Sequence, residues 1–132
     1  MAKKKKKQKM KKALIIAVLF ITTATFSQNK NAKATMEVDG VCLMCKSRIE
    51  KACFKTKGVK SAIWDVKTHE LKLIYDARKT DAKTIQKSVL EAGHDTKELK
   101  ATDEAYAQVH PCCRYRDEVV KDEHNNEEIN KS

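Results

Sequence analysis

The sequence predicts an α+β fold, a four-stranded antiparallel sheet with two helices on one face, and three observations carry that prediction. Apolar residues alternate with a period of two over residues 34–38, 62–66 and 71–75. Twice the period lengthens to that of a helix, at residues 45–53 and 82–92. The resulting order is β-α-β-β-α-β, in which two right-handed crossovers bring both helices to the same side of the sheet.

The elements follow in turn after a short polar lead, residues 28–33. Ala34, Met36 and Val38 alternate with Thr35, Glu37 and Asp39, as in a strand with one buried face, and Asp39-Gly40 breaks the pattern. Cys45, Ile49, Ala52 and Cys53 fall at i, i+4, i+7 and i+8, one face of a helix whose other side carries Lys46, Arg48, Glu50 and Lys51. Gly58 ends that helix and permits the left-handed turn after it. Ala62, Trp64 and Val66, then Leu71, Leu73 and Tyr75, make two strands. The link Lys67-Thr68-His69-Glu70 is short enough to pair them as a hairpin. Thr80 or Asp81 caps a second helix with Ala82, Ile85, Val89 and Ala92 on its apolar face, and Gly93 closes it. Residues 95–99 are expected as the fourth strand, the least patterned of the set. Such a domain buries one modest core, which suits a binding module and leaves little room for a deep substrate cavity. Further on, residues 102–109 suit a short helix capped by Thr102. The charged stretch 117–132 has few apolar residues and is expected to be disordered.

Of the 28 basic residues, eight lysines precede Ala13, and no acidic residue occurs before residue 28. The rest of the chain carries 20 basic against 18 acidic residues, an ordinary surface balance without the footprint of a nucleic-acid binder. Aromatic residues are 5% of the chain, too few for base stacking on a sheet. The lysine run leads into nine apolar residues, 13–21, and then into small and hydroxyl residues ending at Ser27, the layout of a signal peptide cut between Ser27 and Gln28. Nine residues fall well short of the roughly 20 that span a bilayer, so cleavage is expected in preference to a lasting membrane anchor. The expected organisation is a signal peptide over 1–27, a folded domain over 33–99 and a cysteine-containing extension over 100–132. The exported product is periplasmic or otherwise extracytoplasmic.

All five cysteines lie in the exported portion: Cys42, Cys45, Cys53, Cys112 and Cys113. An odd count leaves at least one thiol free or intermolecular. Cys42-Leu43-Met44-Cys45 places two thiols where a strand gives way to a helix, and the partial positive charge of a helix N-terminus favours thiolates there. Soft thiolates select Cu(I), Hg(II) or Zn(II) over hard cations. A two-sulfur, near-linear site suits Cu(I) and Hg(II), whereas Zn(II) needs two further ligands for its tetrahedron. The rival reading of the pair is a disulfide. Cys53, on the inward stripe of the helix, reads as a small buried hydrophobe and Met44 as a gap-filling apolar residue. His110-Pro111-Cys112-Cys113 stands outside the domain pattern. Cys112 and Cys113, with His110 and His124, could cap an ion held by Cys42 and Cys45, form a second soft-metal site, or make disulfides; bridging adjacent cysteines to each other is strained.

The run from Met36 through Gly40-Val41-Cys42-Leu43-Met44-Cys45-Lys46-Ser47-Arg48-Ile49 to Ala52, with Gly58-Val59-Lys60-Ser61-Ala62 and Glu91-Ala92-Gly93-His94, resembles the heavy-metal-associated domain family. That family includes copper chaperones, metal-binding domains of copper-transporting P-type ATPases and periplasmic mercuric-ion-binding proteins. The resemblance covers about residues 33–99. It implies a ferredoxin-like sandwich, metal binding by Cys42 and Cys45, and transfer of the ion to a metal transporter or another metal-binding domain. Two features depart from the family. Gly40-Val41-Cys42 is one residue shorter than the usual Gly-Met-x-Cys, with Val41 in the place of Met, which leaves the metal open. His94 stands where relatives often carry an aromatic residue or a lysine. It is a candidate third ligand, although a surface loop histidine is the preferred reading.

The expected function is non-enzymatic: an exported metallochaperone or scavenger for Cu(I) first, with Hg(II) or Zn(II) in competition. Lys46, Arg48 and Lys51 would favour an acidic docking face. A thiol–disulfide oxidoreductase using the same C-x-x-C is the alternative. Against it stand the order of the elements and the placement of the single proline, Pro111, which is not set to form a cis-proline loop beside the thiols.

Overall fold

A computed structural model describes residues 29–129; the expected signal peptide lies outside them. Strand β1 (Ala32–Glu37) half-buries Ala32, Ala34 and Met36 and exposes the residues between. Helix α1 (Leu43–Phe54) buries Cys45, Ile49, Ala52 and Cys53, the stripe that the sequence period marks. β2 (Val59–Trp64) and β3 (Glu70–Tyr75) form the expected antiparallel hairpin, with Ala62 opposite Leu73 and Trp64 opposite Leu71. β3 also pairs with β1, Ala34 opposite Leu73 and Met36 opposite Leu71, so the sheet order is β1-β3-β2. Helix α2 (Ala82–Glu91) starts at Asp81, whose carboxylate accepts the Thr84 N–H at 2.8 Å. The two helices meet at a Thr56–Ser88 hydroxyl contact of 2.8 Å and where Arg48 Nε donates to the Ala92 carbonyl at 2.6 Å.

The core joins Val38, Ile49, Ala62, Trp64, Leu71, Leu73, Ile85 and Val89 with Cys45 and Cys53. Trp64 is fully buried; its indole N–H donates to the Val38 carbonyl at 3.0 Å, and its backbone N–H donates to Glu50 Oε1 at 2.9 Å.

The structure departs from expectation at two places. Among the described residues the sheet has three strands, not four. Residues 95–97 run beside the end of β1 only far enough for one bridge, Val38 with Thr96, flanked by Asp39 N–H to the Asp95 carbonyl and Lys97 N–H to the Glu37 carbonyl. The chain then turns back on itself: Thr96 N–H donates to the Leu99 carbonyl at 2.8 Å, and Leu99 N–H to Thr96 Oγ1 at 3.2 Å. These local bonds take the groups that a longer ladder needs.

The other departure is the extension, which is ordered through residue 129 instead of disordered from 117. Helix α3 (Asp103–Ala107) forms as expected under the Thr102 cap, and a 3₁₀ turn, Pro111–Cys113, follows. Helix α4 (Glu118–Ile129) occupies the charged stretch. Asp117 Oδ1 accepts the Val119 N–H near its start, and His124 Nε2 donates to the Cys112 carbonyl at 3.1 Å. Val109 and Cys113 enter the same core as α1 and α2, burial that the composition of the tail does not announce. None of the described helices is long and apolar enough to cross a membrane.

Candidate metal centre

Cys42 is the N-cap residue of α1, in extended backbone and without a side-chain capping hydrogen bond, and Cys45 lies in the first turn, fully buried. Their sulfurs are 3.4 Å apart. The loop that delivers them threads between α1 and Trp64. A Cβ on Gly40 would stand 2.9 Å from the indole ring and 3.0 Å from Cys45 Cβ, so glycine is required for the close approach.

The extension reaches the same place. Cys113 Sγ is 3.3 Å from Cys42 Sγ, and Cys112 Sγ is 3.9 Å from Cys113 Sγ. The sulfurs of Cys42, Cys112 and Cys113 all lie within 4.8 Å of one another; Cys45 is outside that three-sulfur group and adjoins it through Cys42. Cys45 and Cys113 form the buried side of this cluster. Cys42 and Cys112 line an open cleft of about 1040 Å³ with Lys67, Lys100 and Lys121 around it.

Burial opposes ionisation of Cys42, but the N–H groups of Cys45 and Met44 at the start of α1, with the neighbouring Cys113 and Cys45 thiols, bring its pKa below the ordinary thiol value. Burial raises Cys45, Cys112 and Cys113, and negative charge on Cys42 raises Cys112 and Cys113 further. The cluster thus favours one thiolate at the helix start and resists several at once. A soft cation among the sulfurs removes that repulsion, so such an ion and the deprotonated cluster stabilise each other. Cys53 is apart and inert as expected: burial, then the charge of Glu50, pushes its thiol up to about 12.

What holds the extension in place lies beside the sulfurs. Tyr115, 3% exposed, donates its hydroxyl to the Gly93 carbonyl at 2.7 Å and accepts the Asp95 N–H at 2.8 Å. Arg116 Nε and Nη2 bind both oxygens of Asp95 at 3.0 and 2.7 Å, while its guanidinium lies 4.3 Å above the Tyr106 ring. Gly93 has φ +91°, and a Cβ there would be 2.5 Å from the Ala105 carbonyl oxygen. The start of the extension therefore packs directly on glycine backbone. Burial pushes the Asp95 carboxyl up, but Arg116 and the Ala101 N–H outweigh it and hold the group below its usual range. A depressed folded value means that Asp95 stabilises the fold above the ordinary carboxylate pKa and that this contribution is lost as pH falls through the lowered value. Arg116→Ala, which leaves a nearly buried carboxylate without its cation, is expected to cost about 2 kcal/mol in urea denaturation at neutral pH. The deficit should shrink in acid, as pH falls below the ordinary carboxylate range and through the lowered value of Asp95. A loss under about 0.5 kcal/mol would mean that the pair is screened like a surface bridge.

The histidines are placed differently from expectation. His94 is fully buried, not a surface loop residue, because the left-handed Gly93 turns the chain inward. Its Nδ1 bonds the Asp39 carbonyl at 2.8 Å, and its ring stacks on Tyr115 at 5.4 Å. It is not a member of the Cys42, Cys112 and Cys113 donor group. His110 Nδ1 accepts the Cys112 N–H at 3.3 Å and lies 3.1 Å from Cys112 Sγ, at the rim of the cluster. His124 holds backbone, as described, and Met44 Sδ is 3.4 Å from Cys112 Sγ. Lys46 and Arg48 are engaged internally, Lys46 with Glu50 and the Trp64 carbonyl, which leaves little of the basic docking face inferred for α1. Sequence reasoning missed Tyr115, Arg116 and Asp95. An aromatic residue beside an arginine in an otherwise charged tail was the available signal.

Residues 35–95 match the heavy-metal-associated domain family. Among solved structures the chain is similar to the CopZ metallochaperone, at 26% identity and TM-score 0.48 over 49% of this chain and 98% of that one. It is also similar to oxidized MerP from Ralstonia metallidurans CH34, at 26% identity and TM-score 0.47 over 51% and 97%. A third likeness is to the N-terminal domain of a potential copper-translocating P-type ATPase from Bacillus subtilis in the Cu(I)-loaded state, at 27% identity and TM-score 0.48 over 55% and 92%. No curated protein sequence matches. Cys42 and Cys45 fall inside the matched span; Cys112 and Cys113 lie beyond it. Residues 35–95 are thus the part of the chain that is similar to the heavy-metal-associated domain family.

Proposed function

We propose that this protein is an exported, non-enzymatic binder of a soft heavy-metal ion, Cu(I) before Hg(II) or Zn(II), which it holds on Cys42 and Cys45 and passes to a metal transporter or another metal-binding domain. The observation that carries this reading is the pair of sulfurs 3.4 Å apart at the start of α1, with the Cys42 thiol shifted towards its ionised form. Thiolates so placed favour soft cations strongly over Mg(II) or Ca(II). Transfer follows from an open cleft at Cys42. An incoming thiolate can join the ion before one of its present ligands leaves, so exchange is fast although binding is tight. Export is supported by the lysine-rich, apolar and small-residue order of residues 1–27.

The test uses protein recovered from the extracytoplasmic fraction of an expressing bacterium. Its first residue should be Gln28. After reduction it should take one equivalent of Cu(I) from a chromophoric chelator, with Hg(II) and Zn(II) run in parallel. Failure of all three metals to leave their chelators would overturn the reading, and so would turnover of a protein disulfide substrate without metal.

A further inference from the structure

We propose that Cys113 and Cys112 are ligands to the same ion as Cys42 and Cys45, so that the C-terminal extension closes a thiolate-only site over it. The inference rests on the soft-metal reading of the Cys42–Cys45 pair and deepens it. Cys42 Sγ is 3.4 Å from Cys45 Sγ and 3.3 Å from Cys113 Sγ, so an ion bonded to Cys42 has a sulfur of the helix and a sulfur of the extension both close to its first ligand. Cys112 is within 4.8 Å of both Cys42 and Cys113, on the cleft side.

Nothing in the sulfur cluster is needed to bring Cys113 there. Its position is fixed by the Tyr115 hydroxyl between Gly93 and Asp95, by the Arg116–Asp95 pair and by Val109 in the core. The third ligand is thus pre-organised and supplied within the molecule, at a high effective concentration, instead of being recruited from a partner. Such a site holds its ion more tightly than the two motif cysteines alone. It also sets the order of release. Cys112, at the open rim, is the ligand that an incoming thiol displaces first: one metal–sulfur bond forms and one breaks, the oxidation state of the metal is unchanged, and the proton lost by the incoming thiol goes to Cys112.

Cu(I) loading of the reduced recovered protein, read by X-ray absorption and by chelator competition, tests this. The wild type should show three or four sulfur neighbours around copper. Cys112→Ser with Cys113→Ser should show two and should bind about tenfold or more weakly, because the intramolecular ligands are gone. Tyr115→Phe keeps every cysteine and removes only the hydroxyl that docks the extension. It should lower affinity in the same direction, which guards against misfolding of the double variant. Equal sulfur number and affinity in wild type and the Cys112/Cys113 variant would overturn the proposal while leaving the soft-metal reading intact. Unchanged binding in Cys42→Ser with Cys45→Ser would overturn both.

Discussion

Cys42→Ser combined with Cys45→Ser is expected to weaken Cu(I) binding by more than about a hundredfold, the upper range for losing even an outer-shell partner of a metal ligand. The reason is position as much as chemistry. Cys42 is the one thiol of the cluster whose pKa is lowered, by the N–H groups that open α1, so in the proposed function it is the thiolate that an incoming ion would meet most readily. Cys45 adds a second sulfur from one turn of the same helix, already 3.4 Å away. The remaining Cys112 and Cys113 are adjacent in sequence and 3.9 Å apart, with raised pKa values, and cannot replace that pair. Loss of binding will not be a folding artefact at Cys42, since serine is among the best N-cap residues and Cys42 is the N-cap of α1. Chelator competition on each single variant and on the double variant is the measurement. Retention of wild-type affinity in the double variant would remove the site from these residues.

Trp64→Ala is expected to cost about 3–5 kcal/mol of stability, as for other large-to-small changes of fully buried aromatic residues. That is a large share of the roughly 5–15 kcal/mol that holds a small domain folded. The indole joins three parts of the molecule. It ends β2, its N–H takes the Val38 carbonyl at 3.0 Å, and its ring forms the wall against which Gly40 passes on the way to Cys42. A cavity there would loosen the loop before α1, so metal affinity should fall together with stability. Trp64 is the only tryptophan in the chain, so unfolding must be followed by circular dichroism instead of indole fluorescence. A loss below about 1 kcal/mol would show that the loop and core repack around the gap, as sites free to collapse can do.

Much of the domain was legible because it depends on local pattern. The stripe Cys45, Ile49, Ala52 and Cys53 marks α1, the alternation around Trp64 and Leu73 marks the hairpin, and Thr80-Asp81 marks the start of α2, with Asp81 the actual cap; all three signals act within a few residues. The fourth strand was over-read. Residues 95–99 have enough β character to suggest a strand, but Thr96 and Leu99, three residues apart, bond to each other across a turn, and only tertiary geometry reveals that choice. His94 was misplaced for a similar reason. A histidine after a glycine reads as loop surface, and its burial depends on the Asp39 carbonyl, 55 residues earlier, and on the Tyr115 ring.

The cysteine cluster divides along the same line. That Cys42 and Cys45 share one site follows from their spacing and from the helix that begins between them, both local facts. That Cys113 joins them does not, because the two sulfurs at 3.3 Å are 71 residues apart in the chain. Closing so long a loop costs entropy that no sequence pattern around His110-Pro111-Cys112-Cys113 advertises. The cost is offset elsewhere, by Tyr115 and Arg116 against Gly93 and Asp95, and by Val109 in the core. The motif chemistry is written in adjacent residues, while the sulfurs that meet it are placed by packing between distant ones.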